Sequence, residues 1–210
     1  MSTNEKSLMD MAYDERADLA AFLETLTPQE WHAPSLCDGW TVKDVVAHMV
    51  SYEELTPFGL MKRFAKGRIM HANEVGVEEF APMSPQELMK FLGRHLRPQG
   101  LTAAFGGMIG LIDGTIHHQD IRRALGYPRT VPVDRLERIL PLVPGNPRLG
   151  AGRRIRGLRL KATDLGWQHG KGLEVSGTGE ALLMAMTGRR EAVKELTGPG
   201  QATIAGRITA

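Results

Sequence analysis

The sequence predicts an α+β protein that is mostly helical: a helical bundle over residues 1–130, then a small α+β domain over residues 131–210. Three observations predict it. Apolar residues recur at helical spacing through the first 125 residues. The stretch Pro144-Gly-Asn-Pro-Arg-Leu-Gly-Ala-Gly152 reads as a linker. Beyond it, Leu158, Leu160 and Ala162 alternate with Arg159, Lys161 and Thr163, the period of a half-buried strand.

The elements follow in order. Ser7 to Leu26 reads as a helix whose stripe is Leu8, Ala12, Leu19, Phe22 and Leu26, interrupted by Glu15 and ended by Thr27-Pro28. Trp31 to Trp40 is a turn-rich connection. Thr41, with Asp44 three residues on, marks the N-terminus of a second helix, since such a pair caps free backbone N–H groups reciprocally. Helical text also covers Pro57 to Lys66, Pro85 to Leu96 and Phe105 to Leu125, and Gly126-Tyr-Pro128 stops the last. After Pro132, Val133 to Leu142 reads as another helix, Gly166 to Gly172 as a turn and Leu173 to Gly177 as a second strand. Ala181 to Met186 is a short helix capped by Thr178 and ended by Gly188.

Composition narrows the function. A chain of 210 residues with 42% apolar and 24% charged residues is ordinary for a soluble globular protein. Its net charge of +2 is too small for a nucleic-acid surface. No apolar run approaches the ~20 residues that cross a bilayer, and the N-terminus is polar and acidic, so a cytoplasmic location is expected. The single cysteine, Cys37, excludes an internal disulfide framework and a cysteine-based zinc ribbon.

The chemistry concentrates in Asp113-x-x-x-His117. Four residues span about one helical turn, so both side chains project from one face, which also carries Ile109, Ile116 and Ala124. A carboxylate and an imidazole facing a core need partners. His48, on the helix that begins at Thr41, lies beside Val45, Met49 and Tyr52. Two ligands on one helix and a third on another suit a metal with an open coordination position. A simple Asp–His hydrogen bond, or a tilted helix exposing both groups, are the alternatives at Asp113 and His117, and a hydrogen-bonded core histidine is the alternative at His48.

Asp120, one turn beyond His117, is the candidate catalytic-site carboxylate, fixing the tautomer of a ligating histidine, unless it pairs with Arg122 or Arg123 at the surface. His118 falls almost opposite the ligand face and is excluded as a ligand. A donor set of Asp and His without thiolate accepts zinc, nickel, manganese or iron. Zinc is the default because it tolerates low coordination with an exchangeable fourth site.

Cys37 has no basic neighbour in sequence to activate it and is read as structurally buried. Arg153, Arg154, Arg156 and Arg159 could bind an anion, or form a solvated strand face. Trp167 is read as a core anchor, and Gly177-Thr-Gly179 as a weak anion signal without a phosphate-loop lysine.

Leu36 to His48 resembles the opening motif of the DinB-like, mycothiol-dependent maleylpyruvate isomerase group. Asp113-x-x-x-His-His-Gln-Asp120 resembles its second motif, and Ala162 to Trp167, Glu174 to Gly177 and Met186 to Arg189 are similar to the C-terminal domain of many members. The resemblance covers most of the chain. It implies a DinB-like four-helix bundle with a divalent metal held by His48, Asp113 and His117. Asp113 stands where isomerases of the group carry glutamate, one methylene longer, so the metal would sit closer to this helix or lean on water.

The function this implies is a metal-dependent thiol transferase or isomerase, with mycothiol as co-substrate and an electrophilic small molecule as the second. The alternatives are a metal-dependent hydrolase, for which Asp120 and Glu15 are the only evident general bases, and a non-catalytic stress-response binding protein.

Overall fold

The computed structural model describes residues 5–67 and 71–208, so the first four residues of the polar N-terminus lie outside it. The chain divides into two compact units, Met1–Arg129 and Thr130–Ala210.

In the first unit, helix starts are set by side-chain caps. Ser7 caps α1 (Leu8–Leu23), and a capping box of Thr27 and Glu30 starts the short α2 (Pro28–Trp31), so Thr27-Pro28 ends one helix by starting another. Thr41 and Asp44 form the box expected of them at α3 (Val42–Val50). Thr56 caps α4 (Pro57–Lys66). After α5 (Ala72–Phe80), Ser84 and Glu87 box α6 (Pro85–Arg94).

The last long helix, α7 (Met108–Leu125), starts three residues later than its periodicity suggests. Phe105, Gly106 and Gly107 all take left-handed backbone, with φ of 56°, 69° and 92°, which no right-handed helix accommodates. At Gly107 a Cβ would lie 2.7 Å from Met9 Cα, so glycine is required where α7 begins against α1. At the other end Gly126 is left-handed, and Tyr127 N–H donates to Arg122 O at 2.9 Å, a Schellman closure.

Helices α1, α7, α3 and α6 pack in a ring, each against the next, forming the four-helix bundle that the sequence leads one to expect. Its core is Leu19 and Leu23 from α1, Val42, Val45, Val46 and Met49 from α3, Leu88 and Leu92 from α6, and Ile121 from α7. Each fully buried leucine here contributes roughly 1.5–3 kcal/mol through its burial. Helix α5 packs on α3 and on α4, while a 3-10 turn at Gly100–Ala103 leads back to α7.

The second unit holds a three-stranded sheet in the order β2-β1-β3. β1 (Leu158–Ala162) alternates buried and exposed residues as its sequence predicts. It pairs antiparallel with β2 (Gln168–Gly170), Leu160 opposite His169, and parallel with β3 (Leu173–Gly177), Leu160 opposite Val175. Lys171 and Gly172 therefore carry the chain from one side of β1 to the other. At Gly172, φ is 119° and a Cβ would lie 2.2 Å from Gly157 O, so only glycine passes there.

Around the sheet lie α8 (Val133–Ile139), a 3-10 turn (Pro147–Leu149), α9 (Ala151–Ile155), α10 (Gly179–Met186), α11 (Arg190–Val193) and α12 (Gln201–Ile208). Helix α10 is buried along most of its length and packs on β1, β3, α9 and α11. No helix among the described residues is long and apolar enough to cross a membrane.

Candidate metal centre

The site forms where α3 and α7 face each other within the bundle. His48, near the C-terminal end of α3, is 5% exposed and flanked by aromatic rings: Trp40 at 5.1 Å and Tyr52 edge-on at 6.2 Å between centroids. On α7, Asp113 and His117 lie one turn apart. His48 Nε2 is 3.6 Å from Asp113 Oδ1, and His117 Nε2 is 3.5 Å from the same oxygen. The two imidazoles meet edge to face, with centroids 4.9 Å apart.

One donor atom from each of the three residues falls within 4.8 Å of the others. The structure thus brings together the three side chains that the sequence singles out, across 65 residues. The side chain of Asp113 keeps 32% of its surface, so the cluster opens towards solvent on that side. A simple Asp–His hydrogen bond would be long here, since the two imidazole nitrogens lie 3.5 and 3.6 Å from the same Asp113 oxygen.

A tetrahedral zinc-like ion would hold nitrogen and oxygen ligands about 3.3 Å apart. The observed 3.5 and 3.6 Å need only a small contraction, so these residues fit such an ion. The electrostatics agree. Burial favours a neutral Asp113, but His117 and His48 outweigh it and hold the carboxyl well below the usual range. At His117 burial opposes the proton, yet the charge of Asp113 and hydrogen bonds to Asp113, Asp120 and Cys37 raise the imidazole well above its ordinary value.

Asp120 is fully buried and Oδ2 lies 2.9 Å from His117 Nδ1. A proton on Nδ1 donated to that carboxylate leaves the Nε2 lone pair pointing at the cluster. Arg122, one of the surface arginines the sequence offers Asp120, donates from Nε to His118 Nε2 at 2.9 Å.

Near the cluster, the first reading of the sequence to be corrected is that of Cys37. Cys37 is half-buried, and its contacts are not those of an inert core thiol: Sγ lies 3.2 Å from Asp120 Oδ2 and 3.5 Å from His117 Nδ1. No sequence signal marks this, because 80 residues separate Cys37 from His117.

The second correction concerns Glu15. Rather than serving the metal end, it is fully buried against the other side of α7, where Oε1 meets His118 Nδ1 at 2.8 Å and accepts from Arg129 Nη2 at 2.6 Å. His118 is thus off the ligand cluster, as its position on the helix predicts. Burial pushes its pKa down to about 4 despite the opposing hydrogen bond it donates to Glu15, and the charges of Arg129 and Arg122 lower it further. The signal for this network was the charged residue interrupting the apolar stripe of α1.

In the second unit the arginines singled out by the sequence fall on different elements. Arg153 and Arg154 lie on α9 rather than on a strand, and Arg154 Nη1 donates to the carbonyls of Leu149 and Met186. Arg159 sits on the exposed face of β1 and donates to Gln168 Oε1 at 3.1 Å. Trp167 is only half-buried and stacks on His169, so it is not a core anchor. The N–H of Gly179 is already taken by Asp164 Oδ1 at 2.7 Å, which occupies the suggested anion position with the protein's own carboxylate.

Comparison with known proteins converges on the same group. Residues 12–98 match the family described as mycothiol maleylpyruvate isomerase N-terminal domain. No curated protein sequence matches the chain. Among solved structures, a mycothiol-dependent maleylpyruvate isomerase superposes with a TM-score of 0.62 at 14% identity, covering 92% of each chain. A histidine-to-alanine mutant of a mycothiol-dependent maleylpyruvate isomerase gives 0.59 at 16% identity, again over 92% of each chain. At such identities the likeness establishes the fold. Residues 12–98 thus match the mycothiol maleylpyruvate isomerase N-terminal domain family, in a chain that shares the fold of the mycothiol-dependent maleylpyruvate isomerases.

Proposed function

We propose that this protein is a cytoplasmic enzyme that activates a low-molecular-weight thiol, mycothiol, at a divalent metal held by His48, Asp113 and His117, for transfer to or isomerisation of an electrophilic small molecule. The observation that carries the proposal is the convergence of these three donor groups within 4.8 Å of one another, on two helices of a fold shared with mycothiol-dependent enzymes. A bound divalent cation, zinc by default and nickel or manganese by the same donor chemistry, would stabilise the thiol sulfur as thiolate near neutral pH.

The protein's own groups do the rest. Asp120 holds His117 with Nε2 directed at the cluster. Trp40 and Tyr52 flank His48 and limit its rotation and its access to water. The exposed edge of Asp113 marks the side on which thiol and electrophile approach. The hydrolytic alternative loses one of its two general bases, since Glu15 is committed to Arg129 and His118.

The test is a conjugation assay with mycothiol and a reactive bimane, run on zinc-loaded and chelator-stripped protein. Metal-dependent conjugation that is lost in His48→Ala and kept in Cys37→Ser supports the reading. Conjugation surviving in His48→Ala, or absent from the loaded wild type with every thiol tried, defeats it.

A further inference from the structure

We infer that Cys37 is a positioning residue of the metal centre, acting through Asp120 on His117. The inference rests on the proposed metal site and adds a residue to which no role is otherwise assigned.

Cys37 Sγ is 3.2 Å from Asp120 Oδ2, within the range of a sulfur hydrogen bond, and the same oxygen is 2.9 Å from His117 Nδ1. A carboxylate oxygen accepts from both, so thiol and imidazole are donors to one acceptor. Asp120 is fully buried, where its orientation depends on the donors around it. The thiol pins the carboxylate, and the carboxylate pins the ring that presents Nε2 to the ion.

The loop carrying Cys37 is itself held. Ser35 Oγ accepts from Cys37 N–H at 3.1 Å and donates to Trp40 O at 2.9 Å, closing the loop on itself. Its ends are joined by the Pro34–Thr41 bridge and by Val42 N–H donating to Ala33 O. Leu36 N–H reaches across to Asp120 O at 3.3 Å, a second tie between this loop and the same residue of α7. One short loop thus places Cys37 behind His117 and Trp40 beside His48, bracing ligands on two different helices.

Sulfur lies outside the His48–Asp113–His117 donor set, although with His117 and Asp120 it forms a second close group of donor atoms. Cys37 approaches the Nδ1 side of His117, whereas His48 and Asp113 lie on its Nε2 side.

The experiment measures cobalt(II) and zinc affinity by chelator competition for wild type, Cys37→Ser and Cys37→Ala, with thermal midpoints and cobalt d–d spectra taken alongside. Loss of an outer hydrogen bond to a metal-binding histidine weakens affinity by about ten-fold or more. Cys37→Ala is expected to show that loss and a shifted d–d envelope. Cys37→Ser, which keeps a donor, is expected to restore affinity to within about three-fold of wild type. In an Asp120→Asn background Cys37→Ala should add less than about two-fold, because the thiol acts through that carboxylate. Should Cys37→Ala not fold, Cys37→Val fills the volume without a donor and serves in its place.

Unchanged affinity in the folded donor-less variant overturns the inference and leaves the metal site standing. A sulfur-to-cobalt charge-transfer band in wild type, lost in Cys37→Ser, overturns it by making Cys37 a ligand. A wild type that binds no cobalt or zinc removes the metal site and this inference with it.

Discussion

Two adjacent histidines on α7 do opposite work. His117 turns its Nε2 to Asp113 and His48, while His118, one residue and about 100° further round the helix, is sealed against Glu15 on α1. The two alanine variants should therefore separate cleanly. His117→Ala should lose metal binding, read by elemental analysis after dialysis, with little change in helical circular dichroism. His118→Ala should bind metal normally per folded chain but unfold at lower denaturant, because it strips a partner from the buried Glu15 carboxylate, a loss of about 1–3 kcal/mol. Metal loss in His118→Ala, or retention in His117→Ala, would reverse the assignment of faces. The face opposition is visible in sequence from helical spacing. The partner of His118 is not, since Glu15 lies 103 residues away and only the packing of α1 on α7 brings it there.

At the scale of elements, legibility follows local chemistry. Helices α3 and α6 announce themselves because Thr41 with Asp44 and Ser84 with Glu87 cap their N-termini from within three residues. Thr41→Ala should cost about 1 kcal/mol in urea unfolding. The Ser84 box also carries a pH signature. Backbone and hydroxyl hydrogen bonds from Ser84 hold the Glu87 carboxyl below its ordinary value. A carboxylate whose folded pKa lies under its unfolded one contributes stability above the unfolded value and loses it as pH falls through the folded one. Glu87→Gln should thus flatten part of the acid limb of the stability profile, measured by denaturant midpoints below the usual carboxylate range, and an unchanged limb would contradict the box. Helix α5 is silent in sequence for the matching reason: His71 makes no side-chain cap, and Gly76 sits mid-helix because a Cβ there would lie 2.4 Å from Ser51 Oγ. Strand β2 is missed because all three of its residues are exposed, leaving no alternation to read. Its crossover makes Gly172→Ala a severe lesion for the second unit, expected to show as loss of that unit's cooperative unfolding in calorimetry.

For the whole molecule, a ligand that binds only the folded bundle shifts its unfolding by mass action, about 2.7 kcal/mol at one hundred times the dissociation constant. Scanning calorimetry with and without zinc should therefore raise the transition of the unit Met1–Arg129, and a chelator should return it. A rise in the other unit's transition alone would put the ion elsewhere. The seam of α1 on α7, locked by Glu15 and His118, and the apolar core around Ile121 make no use of the three ligand positions. Scaffold and chemistry are written on different sides of a single helix, one letter apart. The metal end is accordingly an exchangeable socket: its donors can be altered on one face of α7 without touching the frame that presents them.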